Sequence, residues 1–92
     1  MITRIVKLTI SPDKTDEFAE IFKKSKSQIE NFEGCIETNA YTDSKDKNIY
    51  FTISKWDSEE ALNNYRNSEL FTGIWASVKK TFCGKPEAWS LN

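Results

Sequence analysis

The chain contains no histidine. That absence removes the commonest general base near neutral pH and the commonest neutral metal ligand. A Ser-His-Asp triad, an imidazole-ligated haem and a His-rich metal site are therefore excluded within this chain. Cysteine is almost as scarce, with only Cys35 and Cys83. Two thiols so far apart in sequence make neither a disulfide framework nor a zinc motif. They read as small, unpaired residues of a reducing compartment. Three glycines and two prolines are too few for a collagenous or low-complexity chain. Neither charge sign is in surplus: 13 Lys and Arg face 14 Asp and Glu, a net charge of −1. General nucleic-acid binding, which needs a basic face, is thereby disfavoured. No apolar run approaches the ~20 residues of a membrane span. The first twenty residues carry Arg4, Lys7, Asp13, Lys14, Asp16, Glu17 and Glu20, so no signal-peptide core is present there. A cytoplasmic protein with no metal, no nucleic-acid partner and no membrane partner is expected.

What remains is a mixture suited to one small globular domain, 1–92. Apolar residues make up 38% and charged residues 29%, enough to build a core and keep it soluble. Residues 2–10 alternate as a strand, with Ile2, Arg4, Val6, Leu8 and Ile10 on one face and Thr3, Ile5, Lys7 and Thr9 on the other. Ser11-Pro12 predicts a helix start, with Ser11 as its cap. Phe18, Ile21, Phe22, Ser25, Ile29 and Phe32 form a helical stripe. Lys23, Lys24 and Lys26 fall on the other side and read as a solvated face. Gly34 ends this region. A second strand is predicted at 35–42, a polar hairpin loop at 43–48, and a third strand at 49–56.

Asp57-Ser58-Glu59-Glu60 reads as a capping box with the acidic Asp57 at the cap and Glu60 three residues on. A short helix should follow with Ala61, Leu62 and Tyr65 inward. Ser68 caps a further helix whose stripe is Leu70, Phe71, Ile74, Trp75 and Val78. Residues 81–91 read as a last strand, made irregular by Gly84 and Pro86. The order β-α-β-β-α-α-β is the ferredoxin-like, α+β pattern, with expected strand order 4-1-3-2. Helices cover one sheet face only. The other face then carries apolar side chains from every strand, more than a small monomer exposes. A homodimer follows as the expectation.

Three stretches carry a resemblance. S-K-W-D-S-E-E-A-L at 54–62, N-S-E-L-F at 67–71 and N-F-E-G-C at 31–35 are similar to the antibiotic biosynthesis monooxygenase family, and the similarity runs over nearly the whole chain. The resemblance implies a dimeric α+β barrel, in which two ferredoxin-like subunits join their sheets. It also implies oxygenation of a small aromatic phenol or quinol by O₂ with no cofactor, flavin or metal, the deprotonated substrate supplying the electrons. Two of the family's frequent histidine positions hold Tyr65 and Leu70 here. In the haem-degrading branch an Asn-Trp-His set falls near Val6, Tyr65 and Trp75, and none of the three is kept. Haem degradation of that type is not expected.

The chemistry must then rest on other groups. Tyr65 replaces histidine as a hydroxyl donor and, with Arg4, makes the candidate catalytic pair. Tyrosine, with a pKa of ~10, is a base at neutral pH only beside a cation, and Arg4 is the candidate cation. Trp75, Leu70, Val6 and Trp56 are the candidate substrate-binding residues, in a notch beside the break at Asn67-Ser68. Glu37 and Asn39 read as exposed edge residues of the second strand, and Cys83 as a thiol without an evident activating partner. Two other readings suit the same residues: a non-catalytic dimeric module binding a small hydrophobic ligand, and an isomerase or lyase on the same fold.

Overall fold

A computed structural model describes residues Met1–Asn92. The chain runs β1 (Ile2–Thr9), a 3₁₀ turn (Pro12–Lys14), α1 (Thr15–Glu30), β2 (Cys35–Thr42), β3 (Ile49–Trp56), α2 (Glu59–Arg66), α3 (Glu69–Lys79) and β4 (Glu87–Leu91). All strand pairs are antiparallel, in the order β2-β3-β1-β4. This is the expected ferredoxin-like arrangement. No helix is long and apolar enough to cross a membrane.

The helix starts differ in detail from the sequence reading. Ser11 makes no side-chain cap bond. The Lys14 N–H instead donates to the Ser11 carbonyl at 2.8 Å, closing a 3₁₀ turn before α1. At α2 the cap is Ser58 rather than Asp57: Ser58 Oγ accepts the Ala61 N–H at 3.1 Å. Ser68 caps α3 as expected, accepting the Phe71 N–H at 3.1 Å. The last strand is shorter than 81–91. Only Glu87–Leu91 pair along β1, and Phe82 makes an isolated bridge to Ile10. Pro86 lacks the N–H that a ladder needs, so pairing begins just after it.

Register sorts the two sheet faces. Leu8 and Tyr50, Val6 and Thr52, Arg4 and Ser54, and Ile2 and Trp56 are opposite pairs whose side chains point to the helices. Two buried clusters lie on that side. One joins Ile2, Ile29, Trp56, Leu62 and Tyr65. The other joins Leu8, Ile10, Phe18 and Val78, and Ile74 of α3 packs against both. The opposite face carries Ile5 beside Ile53 and Trp89, and Phe51 beside Tyr41 and Lys7. No helix covers it. Tyr41, Trp89 and Leu91 are 52%, 44% and 48% exposed, an unusual exposure for large apolar groups.

The two sheet edges are treated unequally. Lys26 does not simply face solvent: it donates to the Thr38 carbonyl and to Asn39 Oδ1 of β2. Glu30, one turn on and paired with Lys26 at 2.9 Å, accepts the Thr38 N–H at 3.1 Å. Together they occupy the outward N–H and C=O of Thr38, midway along this edge strand, and hinder further pairing there. The same bonds hold the Glu30 carboxyl below its ordinary pKa, Lys26 being the larger cause. Glu37 faces the open side and pairs with Lys55 at 3.4 Å.

Gly34 stands at φ +89°, and a Cβ there would fall on the Ala61 side chain of α2. Its carbonyl also accepts the Asp57 N–H at 2.8 Å, joining the entries to β2 and α2. Gly34→Ala should therefore lower stability by about 1–3 kcal/mol, read as a shifted urea midpoint with unchanged slope. Gly73, in α3, would carry a Cβ into open space. Gly73→Ala should raise stability by about 0.5–1 kcal/mol in the same assay.

Candidate active site

Between the helix-facing side of the sheet and the three helices lies a cavity of about 430 Å³. The size is within the range of small-molecule sites. Its floor is Arg4, Val6 and Leu8 of β1, Thr52, Ser54 and Trp56 of β3, Thr38 of β2 and Ala88 of β4. Its walls are Phe18, Phe22 and Ile29 of α1, Leu62, Tyr65 and Arg66 of α2, and Phe71, Ile74, Trp75 and Val78 of α3. Most of this lining is apolar. An apolar cavity of roughly 150 Å³ already holds a benzene ring, so a two- or three-ring aromatic fits here.

The wall nearest α2 is a packed set of rings. Trp56, with no exposed surface, stacks on Tyr65 with centroids 4.9 Å apart. Phe32 and Phe71 meet Tyr65 edge-on at 5.4 and 5.3 Å. Phe71 in turn stacks on Trp75 at 5.8 Å, and Trp75 meets Phe82 at 5.5 Å. The indole N–H of Trp56 donates to Ser54 Oγ at 3.0 Å, so burying it leaves no orphaned donor.

Tyr65 is buried, yet every side-chain polar atom sealed from solvent has a hydrogen-bond partner. Burial raises its pKa to about 12, with a smaller contribution from Cys35. No cation lowers it. The expectation that Arg4 activates Tyr65 as a base is thus corrected: Tyr65 is a neutral hydroxyl at any working pH. Arg4 is half-buried and donates to Ser90 Oγ at 2.9 Å. Its pKa is lowered, first by desolvation and then by the charge of Arg66. Arginine stays charged nonetheless.

Five of the six candidate residues line this one cavity: Arg4, Val6, Trp56, Tyr65 and Trp75. Leu70 does not. It packs against the Trp56 cluster and reaches a shallow outer groove between α1 and α3, with Ile21 and Gly73. Helical geometry is the reason, since Phe71 and Trp75, one turn apart, share the inward face that Leu70 flanks. Sequence reasoning missed Arg66 and the hydroxyls of Thr38, Thr52 and Ser54. Arg66 directly follows Tyr65, and Ser54 is two residues before Trp56, but their side chains' destination required the packed helices. Cys35 and Cys83 are both free thiols. Burial, with Glu30 adding to it, raises the Cys35 pKa to about 11, so it is no nucleophile at neutral pH.

The two tryptophans should respond differently to truncation. Trp56→Ala removes a fully buried ring and should cost about 3–5 kcal/mol. Trp75 is only partly buried and edges the cavity. Trp75→Phe should cost less than about 1.5 kcal/mol while changing ligand affinity measurably by calorimetry. A larger loss with unchanged affinity would make Trp75 a packing residue alone.

The fold recurs among solved structures. A conserved protein from Methanosarcina mazei Go1 superposes with a TM-score of 0.92 at 22% identity, over 100% of this chain and 92% of that one. An antibiotic biosynthesis monooxygenase crystal structure gives 0.91 at 17% identity, over 100% and 97%. A candidate antibiotic biosynthesis monooxygenase from Caulobacter crescentus CB15 gives 0.91 at 22%, over 98% and 86%. At these identities the likeness establishes the fold. No functionally curated protein matches the sequence. The sequence profile described as antibiotic biosynthesis monooxygenase, however, matches residues 1–76, from β1 through most of α3. By that match, and on a monooxygenase-type fold, the chain belongs to the antibiotic biosynthesis monooxygenase family.

Proposed function

We propose that this protein is a cofactor-independent monooxygenase that oxygenates a small aromatic phenol or quinol with O₂. The observation that carries the reading is an aromatic-walled cavity whose lining includes the neutral hydroxyl of Tyr65 and the arginine Arg4. The phenol loses its proton to solvent, because the chain has no histidine and burial holds Tyr65 neutral. Arg4 stabilises the phenolate by charge and favours its formation. The phenolate passes an electron to O₂, and the resulting radicals join at a ring carbon, forming the C–O bond. Loss of the ring C–H proton with cleavage of the O–O bond leaves a quinone carbonyl and releases water. For a dihydroxynaphthalene the balance is C₁₀H₈O₂ + O₂ → C₁₀H₆O₃ + H₂O. Tyr65 donates a hydrogen bond to the oxygen that becomes negative.

The active form in this reading is a homodimer, a dimeric α+β barrel. The uncovered sheet face supports it: Ile5, Ile49, Phe51, Ile53, Trp89 and Leu91 form an apolar surface that a second copy would bury by two-fold pairing. Sedimentation should then give twice the 10.7 kDa chain mass, about 21 kDa, at micromolar concentration. A stable monomer would remove the barrel.

Activity is tested by O₂ uptake with dihydroxynaphthalenes, alongside thermal shift. Uptake is expected to rise with pH as the substrate phenol ionises, with no inflection near the histidine pKa of ~6.5. Arg4→Gln should lower kcat/KM by about tenfold or more through loss of phenolate stabilisation. Binding without O₂ uptake would instead identify a non-catalytic ligand-binding module.

A further inference from the structure

Arg4 is not the only guanidinium at this cavity. Arg66, on the last turn of α2, lines it too. The chain's ion pairs are Lys7–Glu87, Lys26–Glu30 and Lys55–Glu37, so neither arginine has a carboxylate partner. Glu87 also lines the cavity, but its carboxylate lies 4.0 Å from Lys7. Two arginines without a carboxylate partner therefore line one cavity walled by aromatic rings. They also repel: the charge of Arg66 disfavours the charged form of Arg4. The arrangement is unfavourable when the cavity is empty and becomes favourable when an anion lies between the two groups.

Arg4 is directed by Ser90 of β4, and Ser54 stands opposite it on β3. Arg66 approaches from the helix side. An anion held by both would sit where the floor meets the α2 wall, beside the Tyr65 ring. A guanidinium offers a planar fork that matches a carboxylate with two parallel hydrogen bonds. A carboxylate coplanar with an aromatic ring keeps the ligand flat, as the slot between sheet and rings requires. We propose that the ligand is a hydroxyaryl carboxylate, its phenol oxygen at Arg4 and its carboxylate, on the neighbouring ring carbon, at Arg66. This rests on the reading of the cavity as an aromatic site, and it narrows the ligand from phenols to phenolic acids. The acid arrives already ionised, so Arg66 contributes to binding before any oxygen chemistry. Arg66 acts as a specificity residue.

The test compares 3-hydroxy-2-naphthoate with 2-naphthol by isothermal titration calorimetry on the purified protein. The acid should bind at least about tenfold more tightly than the naphthol, the scale of one charge-assisted bidentate contact. In Arg66→Gln that preference should fall below about threefold, and Arg66→Lys should restore part of it. Arg66 is exposed and makes no ion pair, so its substitution should leave the melting temperature within about 2 °C. A second measurement needs no variant. Raising NaCl from about 20 to about 500 mM should weaken the acid's binding and leave the naphthol's unchanged. Equal affinities in the unmodified protein, or a preference that survives Arg66→Gln, would overturn the carboxylate assignment and leave the aromatic site standing. Failure of both compounds to bind would overturn the aromatic site and the carboxylate assignment together.

Discussion

The stacking of Trp56 on Tyr65 governs the rest of the structure. Trp56 ends β3 at the edge of the helix-facing layer, opposite Ile2 of β1. Its ring is wholly buried and lies 4.9 Å from that of Tyr65 on α2. That contact pins α2 to one end of the sheet. Leu8, Ile10, Phe18 and Val78 close the other end. Large rings at one end and the compact Phe18 cluster at the other hold the helices over the middle, where Val6, Thr52 and Ser54 of the sheet are short. Short side chains there cannot fill the gap beneath Phe71 and Trp75, so a cavity remains. The void follows from where the large residues are placed.

The electrostatics of that cavity follow from the same packing. Burial that fixes Tyr65 as a stacking partner also partly desolvates its hydroxyl, which holds it neutral. Tyr65 therefore cannot take a proton as histidine does. In the proposed reaction, acid-base work passes to the substrate's own ionisation and to fixed positive charge. Arg4 lies partly desolvated on the floor and Arg66 at the end of α2, and both remain without carboxylates. A site with positive charge and no imidazole suits the proposed acidic ligand.

The sheet has two unlike edges and two unlike faces. Lys26 and Glu30 of α1 occupy the backbone groups of Thr38, which hinders further pairing at the middle of β2. β4 has no such cover, and all its residues are exposed. The open face joins both edges through Tyr41, Phe51, Ile5 and Trp89. Face-to-face association of sheets suits this surface better than edge-to-edge extension, because the apolar area lies on the face while pairing at one edge is hindered.

Much of this was written locally in the chain. Alternation placed β1, β2 and β3 because a pleated strand has a period of two, and the polar Asp43–Asn48 run could only be a turn. The stripe Leu70, Phe71, Ile74, Trp75, Val78 marks the apolar side of α3 because helical spacing is equally regular. The helix caps are half legible in the sequence: Ser68 reads as a cap, but Asp57 reads as a cap just as well as its neighbour Ser58, and only backbone φ and ψ separate such adjacent candidates. What the sequence alone determined is the order of elements, their apolar sides, and the absence of histidine that rules out imidazole chemistry. What only tertiary structure decided is which inward residues touch. Lys26 turned to a strand edge, Leu70 left the cavity, and Arg66 entered it beside Arg4. Those outcomes depend on the distance and angle between helix and sheet, which are set by long-range packing of Trp56, Tyr65 and Phe18 and by no local periodicity.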